Sequence, residues 1–387
     1  MFTMQIKNRI SAFQEEMTSW RHHFHEHPEL AYKEINTSKK VVELLKSFGI
    51  DNIEEGLGKT GIVATLENGT GKSIGLRADM DALPIFEENN DKKYKSKIDG
   101  KMHACGHDGH TAMLLGAAKY LSETKNFNGK VVLIFQPAEE GFAGAKAMIE
   151  DGLLDKYPID EIYGMHNMPG LEEGVLAIEA GPRLAAADNF DVEIIGKGSH
   201  GAMPSNSIDP IVCGASVVQN LQHIVSRNSD PKETLVVTVA SFNSGDANNV
   251  IPKSAKLTGT IRYYNNKIGE LAKKRFFEVI NSTCKAFNAE AIINFKKGYP
   301  ATVNHEKQSE FAFNVAKKII GSKASSNQIP MMGSEDFSYF LKKVPGCFAW
   351  IGNGASASLH NPKYDFNDSI LTVGSSFLAS IAEDRLS

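Results

Sequence analysis

Strand-like and helix-like segments alternate over the first 170 residues, which predicts an α/β domain layered around a largely parallel sheet. A second rhythm, strand-helix-strand-strand-helix-strand between residues 183 and 297, predicts an inserted α+β domain of the ferredoxin-like split type. After Gly298 the chain returns to helix and strand, so residues 1–182 and 298–387 are expected to form one discontinuous domain around the insertion. Length and composition agree, since 387 residues suffice for about two domains. With 42% apolar and 23% charged residues, the chain can build a core and carries no signature of disorder.

Taken in order, the opening segment reads as helix up to His27, because Pro28 restricts the residue before it and has no N–H to donate. Val41, Val42, Leu44, Leu45 and Phe48 share one face of a second helix, with Asn36 or Thr37 as cap and Gly49 at its left-handed end. Residues 61–67 and 73–79 alternate as strands around Asn68-Gly69-Thr70-Gly71, which reads as a hairpin that delivers Asp79 and Asp81 at its end. A helix is expected over 110–123, a buried strand over 130–136, a helix over 143–151 and a strand over 161–166. In the insertion the expected elements are strand 190–196, helix 210–227, strands 234–243 and 255–263, helix 268–287 and strand 290–295. The last segment should hold a helix over 306–320, a short apolar strand over 348–352 and a closing helix over 369–384.

Forty-two Lys and Arg against 46 Asp and Glu leave a formal charge of -4, which offers no broad cationic surface for nucleic acid. No segment approaches the ~20 apolar residues that span a bilayer, and residues 1–20 lack the apolar run of a secretion signal. A cytoplasmic protein with no membrane partner is therefore expected. Four cysteines, Cys105, Cys213, Cys284 and Cys347, are too few and too scattered for a disulfide framework. Only Cys105 has chemically suggestive neighbours.

Ligands collect at the carboxyl ends of parallel strands, and three strand-like segments end in polar residues: Asp79-Met80-Asp81, Gln136-Pro137-Ala138-Glu139-Glu140 and His166-Asn167. In Met102-His103-Ala104-Cys105-Gly106-His107-Asp108-Gly109-His110, a cysteine two residues before a histidine can place a thiolate and an imidazole on one metal or on two adjacent metals. The bland alternative is a polar loop with a buried structural cysteine. Adjacent Glu139 and Glu140 diverge, so one could bind a metal while the other faces the reacting water, although most such pairs are solvated surface charge. His166 closes an apolar strand and His360 lies in Ser358-Leu359-His360-Asn361-Pro362; alone, each is more often a hydrogen-bonded histidine than a ligand. Together with Cys105, His107 and Glu140 they make five donors, enough for a two-metal site. The tract His22, His23, His25 and His27 lacks the spacing of a helical zinc-protease motif and reads as helix-end residues, some buried beside the site.

Four segments carry a resemblance that runs in order over essentially the whole chain: Leu76-Arg77-Ala78-Asp79-Met80-Asp81-Ala82-Leu83-Pro84, residues 103–110 of the Cys-Gly-His loop, Gln136-Pro137-Ala138-Glu139-Glu140-Gly141 and Met332-Gly333-Ser334-Glu335-Asp336-Phe337. They resemble the amidohydrolase branch of the aminoacylase and glutamate-carboxypeptidase superfamily of metallopeptidases, a branch that includes hippurate hydrolase, N-acyl-amino-acid amidohydrolases and auxin-conjugate hydrolases. The resemblance implies a three-layer α/β/α di-metal catalytic domain, a dimerisation or lid role for the insertion, and a homodimer formed through it. It implies Cys105, His107, Glu140, His166 and His360 as ligands of two divalent cations, Mn or Zn with Ni or Co as alternatives, and Glu139 as general base. In the peptidase branch the segment after the strand reads His-x-Asp and supplies a ligand; here it reads Asp79-Met80-Asp81, so the Cys-Gly-His motif must complete the site and Asp81 is cast as orienting a ligand imidazole.

In Gly196-Lys197-Gly198-Ser199-His200-Gly201-Ala202-Met203-Pro204, His200 resembles the family histidine that reaches the reacting carbonyl, often across a dimer, where developing oxyanion charge needs a donor. Asn249 and Arg262 resemble positions that bind the substrate carboxylate, a role that suits the bidentate fork of Arg; the bland reading of Arg262 is a salt-bridged strand residue. The implied activity is hydrolysis of an N-acyl amino acid, hippurate-like or N-acetylated, to a carboxylic acid and a free amino acid. The alternative on the same scaffold is a dipeptidase, a carboxypeptidase or an N-acetyl-diaminopimelate deacetylase.

Overall fold

A computed structural model describes residues 2–387, which divide into two compact units. One comprises the chain up to Arg183 with Val303–Ile329 and Asp336–Ser387, the other Leu184–Thr302 with Pro330–Glu335. Among the described residues, no helix is long and apolar enough to cross a membrane.

The first unit opens with two helices where one was expected, α1 (Phe2–Ser11) and α2 (Gln14–Glu26). Ile6, Ile10, Phe13, Met17, Trp20 and Phe24 recur every three or four residues through the break and are all buried, so both helices present one continuous stripe to the core. α3 (Ile35–Ser47) buries Val41, Val42, Leu44 and Leu45 as its periodicity requires. Its cap differs from expectation. Neither Asn36 nor Thr37 caps it; instead the Glu29 carboxylate accepts the Thr37 N–H at 2.8 Å, the Thr37 hydroxyl at 3.0 Å and the Asn36 amide at 2.8 Å.

Next come β1 (Ile53–Leu57), β2 (Gly61–Asn68), β3 (Ser73–Asp79), α4 (His107–Thr124), β4 (Gly129–Gln136), α5 (Gly144–Glu150), β5 (Glu161–Pro169) and the short β6 (Leu176–Ala177). The expected hairpin of β2 and β3 does not form. β4 lies between them, antiparallel to β2 and parallel to β3. Crowding at residues 69–71 shows why: a Cβ on Gly71 would stand 1.9 Å from the Asn128 carbonyl oxygen, and one on Gly69 2.0 Å from Asn128 Oδ1. These glycines let the link pass the entry of β4 rather than close a tight turn.

The second unit contains β7 (Ala186–Ile195), α6 (Pro210–His223), β8 (Leu235–Asn243), β9 (Ser254–Tyr263), α7 (Asn266–Ala286) and β10 (Glu290–Lys296). Its four strands form an antiparallel sheet in the order β8-β9-β7-β10. Asp209 caps α6 by accepting the Ile211 N–H at 2.8 Å ahead of Pro210 at the first helical position. Phe190, Val192 and Ile194 of β7 pack with Cys213, Val217 and Leu221 of α6 and with Ala272, Phe276 and Ile280 of α7.

Back in the first unit, α8 (Glu306–Ile320), β11 (Ala324–Ser325), β12 (Gly346–Gly354) and α9 (Leu371–Arg385) complete an eight-stranded sheet in the order β1-β2-β4-β3-β5-β12-β6-β11. The sheet is mixed. Neighbours among β4, β3, β5 and β12 run parallel, β1 and β2 join antiparallel, and β6 runs antiparallel to β12 but parallel to β11. Val131, Leu133 and Phe135 of β4 join the core shared with α1–α4, α8 and α9, while Val132 and Ile134 are equally buried on the other face. On that other face Arg77 lies against the rings of Phe337 and Phe348.

An ion pair staples the start of β5 to the end of α9. Glu161 accepts from Arg385 Nε at 2.7 Å, from the Tyr163 hydroxyl at 2.6 Å and from Gln308 at 3.1 Å. Burial raises the Glu161 pKa, but these hydrogen bonds outweigh it and hold the carboxyl below its ordinary value. A depressed folded-state pKa stabilises the fold above the unfolded value of about 4.3 and loses that contribution as pH falls through the folded value. Urea midpoints measured from pH 6 downwards should therefore fall less steeply in Glu161→Gln than in the native chain.

Candidate metal centre

The parallel strands deliver the chemistry at their carboxyl ends, where ligands gather in open α/β sheets. Asp79 ends β3, Glu139 and Glu140 follow β4, His166 lies in β5, and His360 lies in the loop after β12. Cys105 and His107 stand at the entry to α4. The donor atoms of Cys105, His107 and His166 lie within 4.8 Å of one another, and so do those of Cys105, Glu140 and His360. All five expected ligands thus come together in two triads that share Cys105. Cys105, His107 and His166 are buried, Glu140 is half-buried and His360 is exposed.

Hydrogen bonds decide which nitrogen each buried imidazole offers. His107 Nδ1 donates to the Asp81 carbonyl at 2.9 Å, which leaves Nε2 buried with no hydrogen-bond partner. His166 Nδ1 donates to the Asn167 carbonyl at 2.7 Å, and its Nε2 faces Cys105 Sγ at 3.3 Å. A ring fixed through one nitrogen with the other free is the arrangement of a metal ligand. Glu140 Oε1 is likewise without a hydrogen bond, although His360 Nε2 stands 3.1 Å away.

Electrostatics agree with that reading. Burial, then the charges of Glu140, Glu139 and Asp79, push the Cys105 thiol well above its ordinary value, so a cation is needed for it to ionise. Burial and the neighbouring His110 hold His166 well below its usual value, which keeps its lone pair free. His107 is the counterpart: burial lowers it, but Asp79, Asp81 and Glu140 outweigh that and push it up to about 10. Positive charge is stabilised where its Nε2 lies. Thiol, imidazole and carboxylate donors around these orphaned atoms fit two divalent cations.

A further triad, Asp79, His107 and His110, is close enough to ligate but is already committed. His110 Nδ1 donates to Asp79 at 2.6 Å, and its Nε2 accepts the Asn167 N–H at 3.0 Å. Asp79 also takes Arg77 at 2.7 Å. Asn167 is a hub that the sequence reading passed over: its side-chain amide donates to the Cys105 carbonyl at 2.6 Å and its oxygen accepts from the Tyr364 hydroxyl at 2.5 Å. Its place directly after His166 was the available signal. Asp336 in the Met332–Phe337 motif accepts from Arg77, Gln136 and the Ala145 N–H, and so braces the strand ends.

Asp81 grips the glutamate turn. Its two oxygens accept the N–H groups of Glu139 and Glu140 at 3.0 Å each, and Oδ1 lies 3.3 Å from His107 Nδ1. None of the four histidines from His22 to His27 joins a ligand group. His25 is buried between Asp108 at 2.8 Å and Glu87 at 3.3 Å; burial lowers its pKa, and the two hydrogen bonds outweigh this to push it up to about 9.

The other expected site residues belong to the second unit. His200 is exposed and pairs across a two-residue ladder with Val250, beside Asn249, whose carbonyl accepts the Gly201 N–H at 2.7 Å. Arg262 of β9 is half-buried and bonds Thr260 at 3.0 Å and Ser334 at 3.4 Å, with no ion pair to a carboxylate among the described residues.

Residues 75–384 match the profile of Peptidase family M20/M25/M40. The chain belongs to this family. It is 42% identical over 381 residues to a hippurate hydrolase of Campylobacter jejuni, with 98% of this chain and 99% of that one covered. It is 41% identical over 376 residues to an IAA-amino acid hydrolase, ILR1-like 4, of Arabidopsis thaliana, with 95% and 84% covered. Among solved structures it resembles the YXEP protein of Bacillus subtilis, a dinuclear metal-binding peptidase of the M20 family, with a TM-score of 0.86, 32% identity, and 97% and 99% coverage. The mixed-sheet α/β fold is thus that of M20 peptidases.

Within this M20 chain the metal centre should depend on Asp81 although it donates no ligand atom. Asp81→Ala is expected to weaken divalent-metal affinity about 10- to 100-fold, as measured by competition with a chromogenic chelator.

Proposed function

We propose that this chain is a two-metal amidohydrolase that cleaves the amide bond of N-acyl amino acids, hippurate-like or N-acetylated, to a carboxylic acid and a free amino acid. The observation that carries the reading is Glu139 next to two donor triads that share Cys105, in a chain of M20 sequence. Cys105, His107 and His166 would hold one cation and Glu140 and His360, with Cys105 in reach of both groups, the other. When bound, the cations would polarise the carbonyl and acidify water. Mn or Zn suits this donor set, with Ni and Co as alternatives.

Glu139 takes a proton from water as the oxygen adds to the amide carbonyl carbon. It returns that proton to nitrogen as the C–N bond breaks, so one carboxylate serves as base and then as acid. Asp81 keeps Glu139 and Glu140 in register by holding their amides. His200 is assigned to the oxyanion, and Arg262 and Asn249 to the substrate carboxylate. An exposed imidazole and a half-buried guanidinium lacking a carboxylate partner support these roles.

Residues 183–297 are assigned as a ferredoxin-like dimerisation or lid domain, and the strand order β8-β9-β7-β10 supports the ferredoxin-like part of this. β8 is an edge strand, and Ile211, Val212, Phe242 and Val250 of the same unit are exposed, which supports a homodimer through this surface. Val212→Glu should then shift the mass measured by light scattering from dimer to monomer; a native chain that is monomeric throughout would remove the dimer from the reading.

The decisive experiment pairs metal analysis by mass spectrometry with hydrolysis of hippurate, N-acetyl-methionine and dipeptides before and after chelation. About two metals per chain, and activity on the N-acyl substrates that chelation abolishes and one cation restores, are expected. Hydrolysis of dipeptides alone would move the chain to a peptidase. Glu139→Gln should retain both metals while kcat falls about 10²- to 10⁴-fold.

A further inference from the structure

Glu34 lies in none of the motifs that pointed to the site, and it is fully buried at the start of α3. Its Oε1 accepts the Ala138 N–H at 2.9 Å, and its Oε2 accepts the Thr60 hydroxyl at 2.6 Å. Among the described residues, no Lys, Arg or His forms an ion pair with it. A carboxyl group buried without a cation is costly, and a methylene chain could fill the same volume at no such cost. Burial and the nearby Asp81 charge push its pKa up to about 7, yet in either protonation state Oε1 can accept an N–H.

What Glu34 gains is control of one backbone conformation. Ala138 stands at φ 54° and ψ 44°, a left-handed position that a residue with a Cβ rarely adopts and that persists only where its surroundings over-determine it. Ala138 is the residue before Glu139. Gly141 and Ala143 also have positive φ, and the Ala138 carbonyl accepts the Gly144 N–H at 3.0 Å. Three consecutive amides, of Ala138, Glu139 and Glu140, are therefore held by two buried acids, Glu34 taking the first and Asp81 the next two. Glu34 is itself anchored. Ser38 donates its N–H to the Glu34 carbonyl at 2.9 Å, and the Ser38 hydroxyl bonds that carbonyl at 2.6 Å and the Thr60 carbonyl at 2.5 Å.

We propose that Glu34 is a positioning residue of the hydrolytic centre: by fixing the Ala138 amide it locks the left-handed turn that aims Glu139 and Glu140. This rests on the proton-carrier and ligand roles proposed above for those two glutamates. Glu34 touches no reacting atom and acts only through the backbone it holds.

The test compares Glu34→Leu, which fills the space without an acceptor, with Glu34→Gln, which keeps an oxygen for the Ala138 N–H. Both are made in the full chain loaded with two equivalents of Mn. Hydrogen–deuterium exchange in peptides spanning residues 136–145 reads the turn without any need for turnover. The Leu variant should exchange there about ten-fold faster or more, and the Gln variant within about three-fold of native, while peptides from β4 and α4 stay unchanged. With hippurate, kcat should fall about 10- to 100-fold in the Leu variant at a KM within about two-fold of native, and the Gln variant should recover most of kcat.

Native protection and native kcat in the Leu variant would overturn the proposal. So would a Gln variant as impaired as the Leu one, or protection lost evenly across the first unit. A native chain that hydrolyses no N-acyl substrate would refute the proposed reaction, whereas the exchange result would still decide whether Glu34 holds the turn. If Glu34→Leu fails to fold, Thr60→Val removes one of the two bonds and keeps the buried acid. A smaller change in the same direction then supports the proposal, and unchanged exchange overturns it.

Discussion

Negative charge placed in a dry pocket is the constraint on which the rest of the first unit depends. A buried carboxylate must find hydrogen bonds, a paired cation or a metal, because leaving it unpaired costs more than any single contact in the fold returns. Most of the buried acids here are answered by the chain itself. Asp79 has Arg77 and His110, Asp336 has Arg77 and Gln136, Asp108 has Arg21 and His25, and Asp81 has two backbone amides. What remains unanswered is the group around Cys105: an unbonded Glu140 oxygen, an unbonded His107 nitrogen and a thiol surrounded by acids. The atoms that would receive metal are among the few buried polar atoms in this region that the chain leaves without a hydrogen bond.

The same constraint explains why elements far apart in sequence converge here. Arg77 can reach Asp79, Gln136 and Asp336 only because β3, β4 and the segment after residue 335 end at one level of the sheet. Asn167 ties the end of β5 to the Cys105 loop, to His110 of α4 and to Tyr364 near the C-terminus. The geometry of the buried donors is thus set by a layer of committed hydrogen bonds, which turns His107 Nε2 and His166 Nε2 toward the Cys105 group.

Much of the fold was legible because its periodicities are strong. The short, β-branched run from Val131 to Phe135 reads as a strand buried on both faces, and the stripe from Ile6 to Phe24 follows the helical period. The residues proposed as ligands stood out for a different reason, since rare residue types lay at strand ends and at the entry to α4 in a recognisable order. The hairpin of residues 61–79 was misread because local turn chemistry at Asn68-Gly69-Thr70-Gly71 looks the same whether the strands pair or a third strand slides between them; only the crowding against Asn128 tells them apart. Glu34 was invisible because nothing in its neighbourhood announces a partner 104 residues away. The split of the opening helix at Ala12 and Phe13 left no mark on the apolar spacing, so periodicity alone could not reveal it.

The position of β12 in the sheet has a consequence for biosynthesis. It pairs with β5 residue by residue, Trp350 opposite His166, although the whole second unit lies between them in the chain. A nascent chain that has just finished the second unit already holds everything that unit's four-stranded sheet requires. The first unit at that moment still exposes the edge of β5 to the ribosome's surroundings and lacks His360. Closing so long a loop adds only slowly to the entropy cost but delays native pairing, because contacts distant in sequence form late. The interior module is therefore free to fold first, and β12 and His360 join the first unit only after it.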